Sequence, residues 1–375
     1  MHKVLFLILL LSQALIVVAQ PSQKTNDPPK NVILLIGDGM GLAQISTAFF
    51  YQDQPSNFAR FPVTGLIRTS SSNEKITDSA AGATAFSAGV STYNGAIGVG
   101  PDEKPVPTLV ELLSEEGLRT GLVATSSITH ATPAAFYAHV KSRNMQDEIA
   151  AQLVTSGVDF FAAGGTKFFV NRADQANYCD SLIQHSFTVD TTQFEATTQL
   201  MADKKYGYLL APDGMPRMLD QRGDFLPEAT RMATNYLSQG DEGFFLMVEG
   251  SQIDWGGHAN DAQYVITEVL DFDKTLGVAL DFAEEDGNTL VVVTADHETG
   301  GFALSAAEDK SGSESDYNEL NGTFSTGGHT ATLIPVFAFG PGAEAFSGVY
   351  KNTEIFHKIW KVMHPEGAPW AEEQN

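Results

Sequence analysis

With 375 residues, 43% of them hydrophobic, the chain can bury the core of one large domain or two ordinary ones. Its 22 basic and 46 acidic residues leave a formal charge of -24, a surface that repels nucleic acid and anionic lipid headgroups, so neither is expected as a partner. Cys179 is the single cysteine, which excludes an internal disulfide and leaves stability to the core, to metals or to oligomerisation.

The N-terminus reads as a signal peptide over residues 1–19. A weakly basic start (His2, Lys3) precedes the apolar runs Val4–Leu11 and Ala14–Val18, and Val17-Val18-Ala19 fits the small-residue cleavage rule. No later segment is long and apolar enough to span a bilayer, so a periplasmic or secreted protein with no membrane attachment after cleavage is expected. Residues 20–30, QPSQKTNDPPK, read as a flexible tether, and a single domain is expected over 31–375.

That domain opens with NVILLIGDG, a continuous apolar run ended by glycines, the pattern of a strand buried on both faces. Similar runs follow at 64–70, 120–126, 158–165, 207–211, 244–250, 289–301 and 335–342. Helical patterns lie between several of them: VPTLVELLSEEG, MQDEIAAQLVTSG, LPEATRMATNYLSQG and DAQYVITEVLDFDKTLGVALDFAEEDG. This alternation predicts an α/β fold with a mainly parallel central sheet and helices on both faces. Residues 302–326 are polar and read as a surface excursion. No internal repeat or domain linker interrupts the chain.

In open sheets of this kind ligands bind at the carboxyl ends of the strands. Those ends carry Asp38, then Glu249 with Asp254 and His258, then Asp296 and His297. His329 lies just before the last strand, and His130 and Thr132 follow the 120–126 run. Each taken singly has a structural explanation as a cap or loop anchor. GDGMG is not a dinucleotide loop, because the third glycine position holds Leu42. His139, His185 and His357 have no comparable setting and read as structural or surface histidines. Gathered in one crevice, however, Asp38, Glu249, Asp254 and Asp296 would carry four negative charges, and divalent cations are the natural compensation. Histidine with carboxylate suits Zn²⁺, and an Asp/Glu/Thr set suits Mg²⁺. Ser79, in ITDSAAGATAFSAG, begins a run of small residues with no histidine near it in sequence and no GxSxG motif.

GDGMG, TDSAAGATA, HATPAAFYAH, VEGSQIDWGGHAND, VTADHETGG and GGHTATLIPVFAFGPG, in this order over residues 31–342, together resemble the alkaline phosphatases. The resemblance implies an alkaline-phosphatase-like three-layer sandwich and hydrolysis of small phosphate monoesters through a phosphoserine on Ser79. It assigns Asp38, Asp296 and His297 to the zinc beside that serine. Asp254, His258 and His329 are assigned to a second zinc, and Asp38, Thr132 and Glu249 to a magnesium. Arg143 matches the phosphate-gripping arginine and Asp78 the group that orients it. Positions 130 and 255 are His and Trp where the best-studied bacterial enzymes have Asp and Lys. His130 and Trp255 are therefore expected near the phosphate and the third metal, where His130 would favour zinc or a looser occupancy. Two successive displacements would give retention at phosphorus, and a homodimer is expected from the family.

The rival within the superfamily is a phosphodiesterase or nucleotide pyrophosphatase. Those enzymes usually use threonine and lack both the third ligand set and the phosphate arginine, which Ser79, Thr132, Glu249 and Arg143 argue against. The C/S-x-P-x-R context of a sulfatase does not occur at the serine. From another class, a metal- or phosphate-binding protein without turnover would keep the ligands but have no use for Ser79.

Overall fold

The glycine-ended apolar run at the start of the domain is buried on both faces, as its lack of alternation predicts. In the computed structural model, which describes residues 27–367 apart from 171, 196 and 309–314, it forms β1 (Asn31–Gly37), and all of it is buried. There follow α1 (Leu42–Phe50), β2 (Val63–Arg68), α2 (Ser79–Ala88), α3 (Leu109–Glu115), β3 (Arg119–Ser127), α4 (Ala131–Ala134), α5 (Gln146–Leu153), β4 (Phe160–Gly164), α6 (Tyr178–Gln184), β5 (Phe187–Asp190) and β6 (Lys205–Leu209). The second half holds α7 (Phe225–Leu237), β7 (Phe244–Gly250), α8 (Gln252–His258), α9 (Ala262–Asp286), β8 (Thr289–Thr294), β9 (Glu298–Thr299), β10 (Phe302–Glu308), β11 (Ser315–Phe324), β12 (His329–Thr330), β13 (Ile334–Phe339), β14 (Gly348–Lys351) and α10 (Glu354–Met363). The expected signal peptide, 1–19, and the expected tether up to residue 26 lie outside the described residues.

An open ten-stranded sheet runs in the order β14-β2-β13-β8-β1-β7-β3-β4-β6-β5. Every neighbouring pair is parallel except those made by β13, which runs antiparallel to both β2 and β8. The expected mainly parallel sheet is therefore present, with one reversed strand. Val32 to Ile36 are completely buried, and burial of each such side chain contributes about 1.5–3 kcal/mol as an upper bound. Helices cover both faces. On one, α9 packs on β1, β7 and β8 while α7 packs on α9, β3 and β4; α2 packs in a second group with α3, α4 and α10.

The registers matter for the site. β8, β1, β7 and β3 are consecutive, with Ile36 paired to Glu249 on one side and Thr294 on the other, and Ala124 also paired to Glu249. The carboxyl ends of four adjacent central strands thus meet at one edge. The polar segment after β9 is an antiparallel hairpin, β10–β11, with a bulge between Ala306 and Ala307. Its side chains are mostly exposed or half-exposed, as expected of an excursion.

Candidate metal centre and nucleophile

Asp38 follows β1 directly, Glu249 stands next to the end of β7, and Asp296 and His297 follow β8. All four are completely buried. Three groups of donors converge there: Asp38 with Asp296 and His297, Asp254 with His258 and His329, and Asp38 with His130 and Glu249. Within each group the donor atoms lie within 4.8 Å of one another. Asp38 belongs to two of the three.

The first group surrounds Ser79. Its Oγ lies 3.3 Å from His297 Nε2, which is 3.2 Å from Asp296 Oδ2 and 3.6 Å from Asp38 Oδ1. Asp296 Oδ1 accepts the backbone N–H groups of Gly39 and His297, at 3.2 and 3.0 Å. Burial, then His329, pulls the His297 pKa down to about 3, so the ring is neutral and able to ligate.

In the second group Asp254 Oδ1 lies 3.4 Å from His258 Nε2 and 3.6 Å from His329 Nε2, and the two ring nitrogens are 3.1 Å apart. Each ring is oriented from behind. His258 Nδ1 meets the Gly327 carbonyl at 2.7 Å and His329 Nδ1 meets the Thr77 carbonyl at 2.9 Å. A ring that donates from Nδ1 to a carbonyl leaves its Nε2 lone pair for the site. The antiparallel bridge β9–β12 sets His329 opposite Thr299.

The third group joins His130 to Asp38 and Glu249, with the Thr132 hydroxyl beside the same glutamate. Glu249 Oε2 accepts the hydroxyls of Ser251 at 2.6 Å and Ser126 at 3.1 Å, while Oε1 has no hydrogen-bond partner. Thr132 is also buried against Glu249, where its hydroxyl works against the rise of the carboxyl pKa. His130 reaches Arg143 Nη2 through Nε2 at 3.3 Å, and its Nδ1 is buried without a partner. Burial, then Arg143, lowers its pKa to about 3. The Trp255 ring meets His130 edge-on, with centroids 6.0 Å apart.

Electrostatically the cluster is incomplete as protein alone. Both Asp38 carboxylate oxygens are buried without a hydrogen-bond donor. Burial, followed by Asp296, Asp254 and Glu249, raises the Asp38 pKa well above the ordinary carboxylate value. Glu249 is pushed to about 7 and Asp296 upward, burial leading in both cases. Carboxyls whose negative charge is disfavoured by burial and by one another, beside His130 and His297 with lowered pKa values, are a donor set that fits divalent cations.

Ser79 is the first residue of α2. Asp78 caps the helix, accepting the Ala81 N–H through Oδ1 at 3.0 Å, and its Oδ2 accepts Arg143 Nη1 at 3.1 Å. The arginine is thus tied to the residue that precedes Ser79, held by Asp78 on one side and His130 on the other.

The alkaline phosphatase family model matches residues 29–319. The chain belongs to the alkaline phosphatase family. It is 34% identical to alkaline phosphatase 3 of Bacillus subtilis over 92% of this chain and 91% of that one. The solved alkaline phosphatase of the Antarctic bacterium TAB5 is 54% identical, covering 90% of this chain and 98% of that one at a TM-score of 0.88. A TAB5 variant with one histidine replaced by aspartate, solved with Mg bound in the M3 site, gives the same 54% identity, coverage of 90% and 98%, and TM-score of 0.88. This alkaline phosphatase is accordingly a metal-dependent hydrolase of phosphate monoesters.

Several residues that shape its site escaped the sequence reading. Thr299 donates from Oγ1 to Asp254 Oδ1 at 2.5 Å and lies 3.2 Å from His297 Nδ1, joining two donor groups. Glu298 ties Gln44, Phe302 and Thr330 around the β9–β12 bridge. Ser126 and Ser251 hold Glu249. The available signal was adjacency: Ser251 follows Glu249 by two positions and Thr299 follows His297 by two.

Proposed function

We propose that this phosphatase works through a phosphoserine on Ser79, with zinc held by Asp38, Asp296 and His297, a second zinc held by Asp254, His258 and His329, and a more loosely held magnesium in the group of Asp38, Glu249, Thr132 and His130. The observation that carries the reading is the shared carboxylate: Asp38 has two buried, unpartnered oxygens and stands in two donor groups at once, one of them beside the Ser79 hydroxyl.

Bound divalent cations would lower the pKa of the serine hydroxyl and stabilise negative charge on the entering and leaving oxygens. The protein's own groups do the rest. Ser79 Oγ forms a bond to phosphorus as the ester P–O bond breaks and the alcohol departs. Water then attacks phosphorus, the Oγ–P bond breaks, and inorganic phosphate leaves with retained configuration at phosphorus. Arg143 grips two phosphate oxygens through its planar fork. Asp78 holds that fork and caps the helix, so the serine and the arginine keep a fixed relation. Free N–H groups at the start of α2 favour the phosphate anion. His130 gives the third group an imidazole donor, which suits zinc better than magnesium. Replacing a histidine by aspartate accompanies bound magnesium in the TAB5 variant.

Residues 1–19 support an exported, periplasmic or secreted protein, and among the described residues no helix is long and apolar enough to cross a membrane. Exposed Leu42, Phe49 and Phe50 on α1 and Tyr317 on the hairpin support a homodimer. Light scattering of the purified protein tests that assembly, and a monomer at micromolar concentration would remove it.

The decisive experiment compares wild type with Ser79→Ala. Hydrolysis of p-nitrophenyl phosphate should collapse while two zinc ions per chain remain by elemental analysis. Faster turnover of the bis-p-nitrophenyl ester by the wild type would instead favour a diesterase.

A further inference from the structure

Beside the machinery described above lies a turn that touches no metal ligand. Asn94 and Gly95 bond to both of the segments that carry Asp78 and Arg143. The Asp78 N–H donates to Asn94 Oδ1 at 3.0 Å, and Asn94 Nδ2 donates to the Ile76 carbonyl at 3.1 Å and to Glu74 Oε2 at 3.2 Å. The Asn94 N–H donates to Asn73 Oδ1 at 3.3 Å. One side chain therefore clamps the loop that delivers Asp78 and Ser79 from three directions.

Gly95 serves the other segment. Its N–H donates to Asp78 Oδ2 at 3.0 Å, and its carbonyl accepts the Arg143 N–H at 2.7 Å. Asp78 Oδ2 is the same oxygen that accepts Arg143 Nη1. Gly95 reaches both because its φ is +89°, a region that L side chains rarely adopt. Two residues on, Ile97 and Val140 exchange both backbone hydrogen bonds at 3.0 Å, fastening the turn to the stretch of chain that leads into Arg143.

We propose that Asn94, acting with Gly95, is a positioning residue for phosphate recognition: it sets the distance between the Ser79 helix start and the Arg143 guanidinium without touching substrate itself. The proposal rests on the reading of Arg143 as the phosphate-binding arginine. Without Asn94 the loop 73–78 loses its three-way anchor, so Asp78 keeps its helix cap but not its register against Gly95 and Arg143. Phosphate then meets an arginine that is present but misplaced. The loss should appear in the affinity for inorganic phosphate and in KM before it appears in the fold.

The test is a double-mutant cycle in the zinc-loaded full chain, reading the competitive Ki of inorganic phosphate against p-nitrophenyl phosphate. Asn94→Ala should raise Ki roughly tenfold, the scale of one or two misplaced hydrogen bonds to an anion, with zinc content unchanged. In an Arg143→Ala background the same substitution should change Ki less than about twofold, because there is no arginine left to misplace. A Ki for Asn94→Ala within about twofold of wild type overturns the proposal. So does an equal rise in both backgrounds, which would mark a merely structural role. Should Asn94→Ala not fold, Asn94→Asp carries the same cycle, since it keeps the acceptor for the Asp78 N–H and replaces the donor to Glu74 and Ile76 with an oxygen that both repel. The underlying reading fails separately, if Arg143→Ala alone leaves Ki unchanged.

Discussion

Arg143 donates to the carboxylate of Asp78 at 3.1 Å across 65 residues of chain, and the same carboxylate caps the helix that begins with Ser79. One side chain thus joins the helix that begins with the proposed nucleophile to the arginine proposed to bind phosphate. Asp78→Ala should cost about 1 kcal/mol of stability through the lost cap. It should also raise the Ki for inorganic phosphate roughly three- to tenfold through the freed arginine. Asp78→Asn keeps the capping oxygen, so thermal unfolding should be near wild type while the change in Ki persists. An unchanged Ki in both variants would contradict the pairing.

The third donor group predicts its own metal preference. His130 supplies an imidazole beside Asp38 and Glu249, and imidazole selects zinc over magnesium. His130→Asp makes the set all-oxygen. Elemental analysis should then find magnesium near one per chain, and activity should respond to added magnesium more strongly than in wild type. A variant that still binds zinc there in the presence of millimolar magnesium would show that His130 does not decide the metal.

Away from the site, Arg222 is buried with Glu268 and Asp271. Its Nη2 lies 2.5 Å from Glu268 Oε2 and 2.8 Å from Asp271 Oδ2, with every one of these side chains nearly inaccessible. Burial drives the Asp271 pKa up to about 6 against the pull of Arg222. Arg222→Met leaves two buried carboxyls facing each other and should destabilise by about 3–5 kcal/mol in urea unfolding. Replacing all three with apolar residues should recover most of that loss. Failure of the triple variant to regain stability would mean that the triad does more than compensate its own charges.

His139 and Glu111 give a pH prediction with a definite sign. They are 2.8 Å apart. Burial pulls the His139 pKa down, but the hydrogen bonds to Glu111 and the Gly98 carbonyl outweigh it, so it is raised. Burial pushes Glu111 up, but His139 and Thr108 outweigh it, so it is lowered. A raised histidine stabilises fully below its unfolded pKa of about 6.5 and loses that as pH climbs through the folded value. A lowered carboxyl stabilises above about 4.5 and loses that as pH falls. The pair is at full strength between those limits. Glu111→Gln preserves the Thr108 capping box. Because Glu111 is partly open to solvent, its deficit against wild type should be about 0.5–1 kcal/mol near pH 5.5 and shrink by pH 9. Equal deficits at both pH values would exclude the charge pairing.

How far the sequence foretold this depends on burial. β1, β3, β7 and β8 are buried on both faces, so their apolar runs are continuous and the polar residues ending them stand out. That made Asp38, Glu249, Asp296 and His297 legible. β5 and β14 are four-residue edge strands with little burial, and α8 begins QIDWGGH, whose glycines suppress helical periodicity. None of these leaves a pattern to read. His130 entered the third group because the chain turns between β3 and α4, bringing residue 130 and residue 132 to the same carboxylate. The hydroxyls of Thr299, Ser126 and Ser251 are invisible because such residues are common at strand ends, and only their partners give them a role.

The small residues after Ser79 have a concrete explanation at Gly82. A Cβ built there would lie 2.9 Å from Asp296 Cβ, closer than real Cβ atoms approach. Within a helix, Gly→Ala ordinarily gains about 0.5–1 kcal/mol. Here the methyl would press on a proposed metal ligand that two backbone N–H groups hold in place. Either Asp296 or the start of α2 must shift by several tenths of an ångström, which separates Ser79 from its metal donors. Gly82→Ala should therefore lower kcat at least tenfold, a barrier increase of about 1.4 kcal/mol, and release zinc to a chelator faster than wild type. A variant with wild-type kcat, undiminished zinc retention and a higher Tm would mean that the helix approaches Asp296 for no chemical reason.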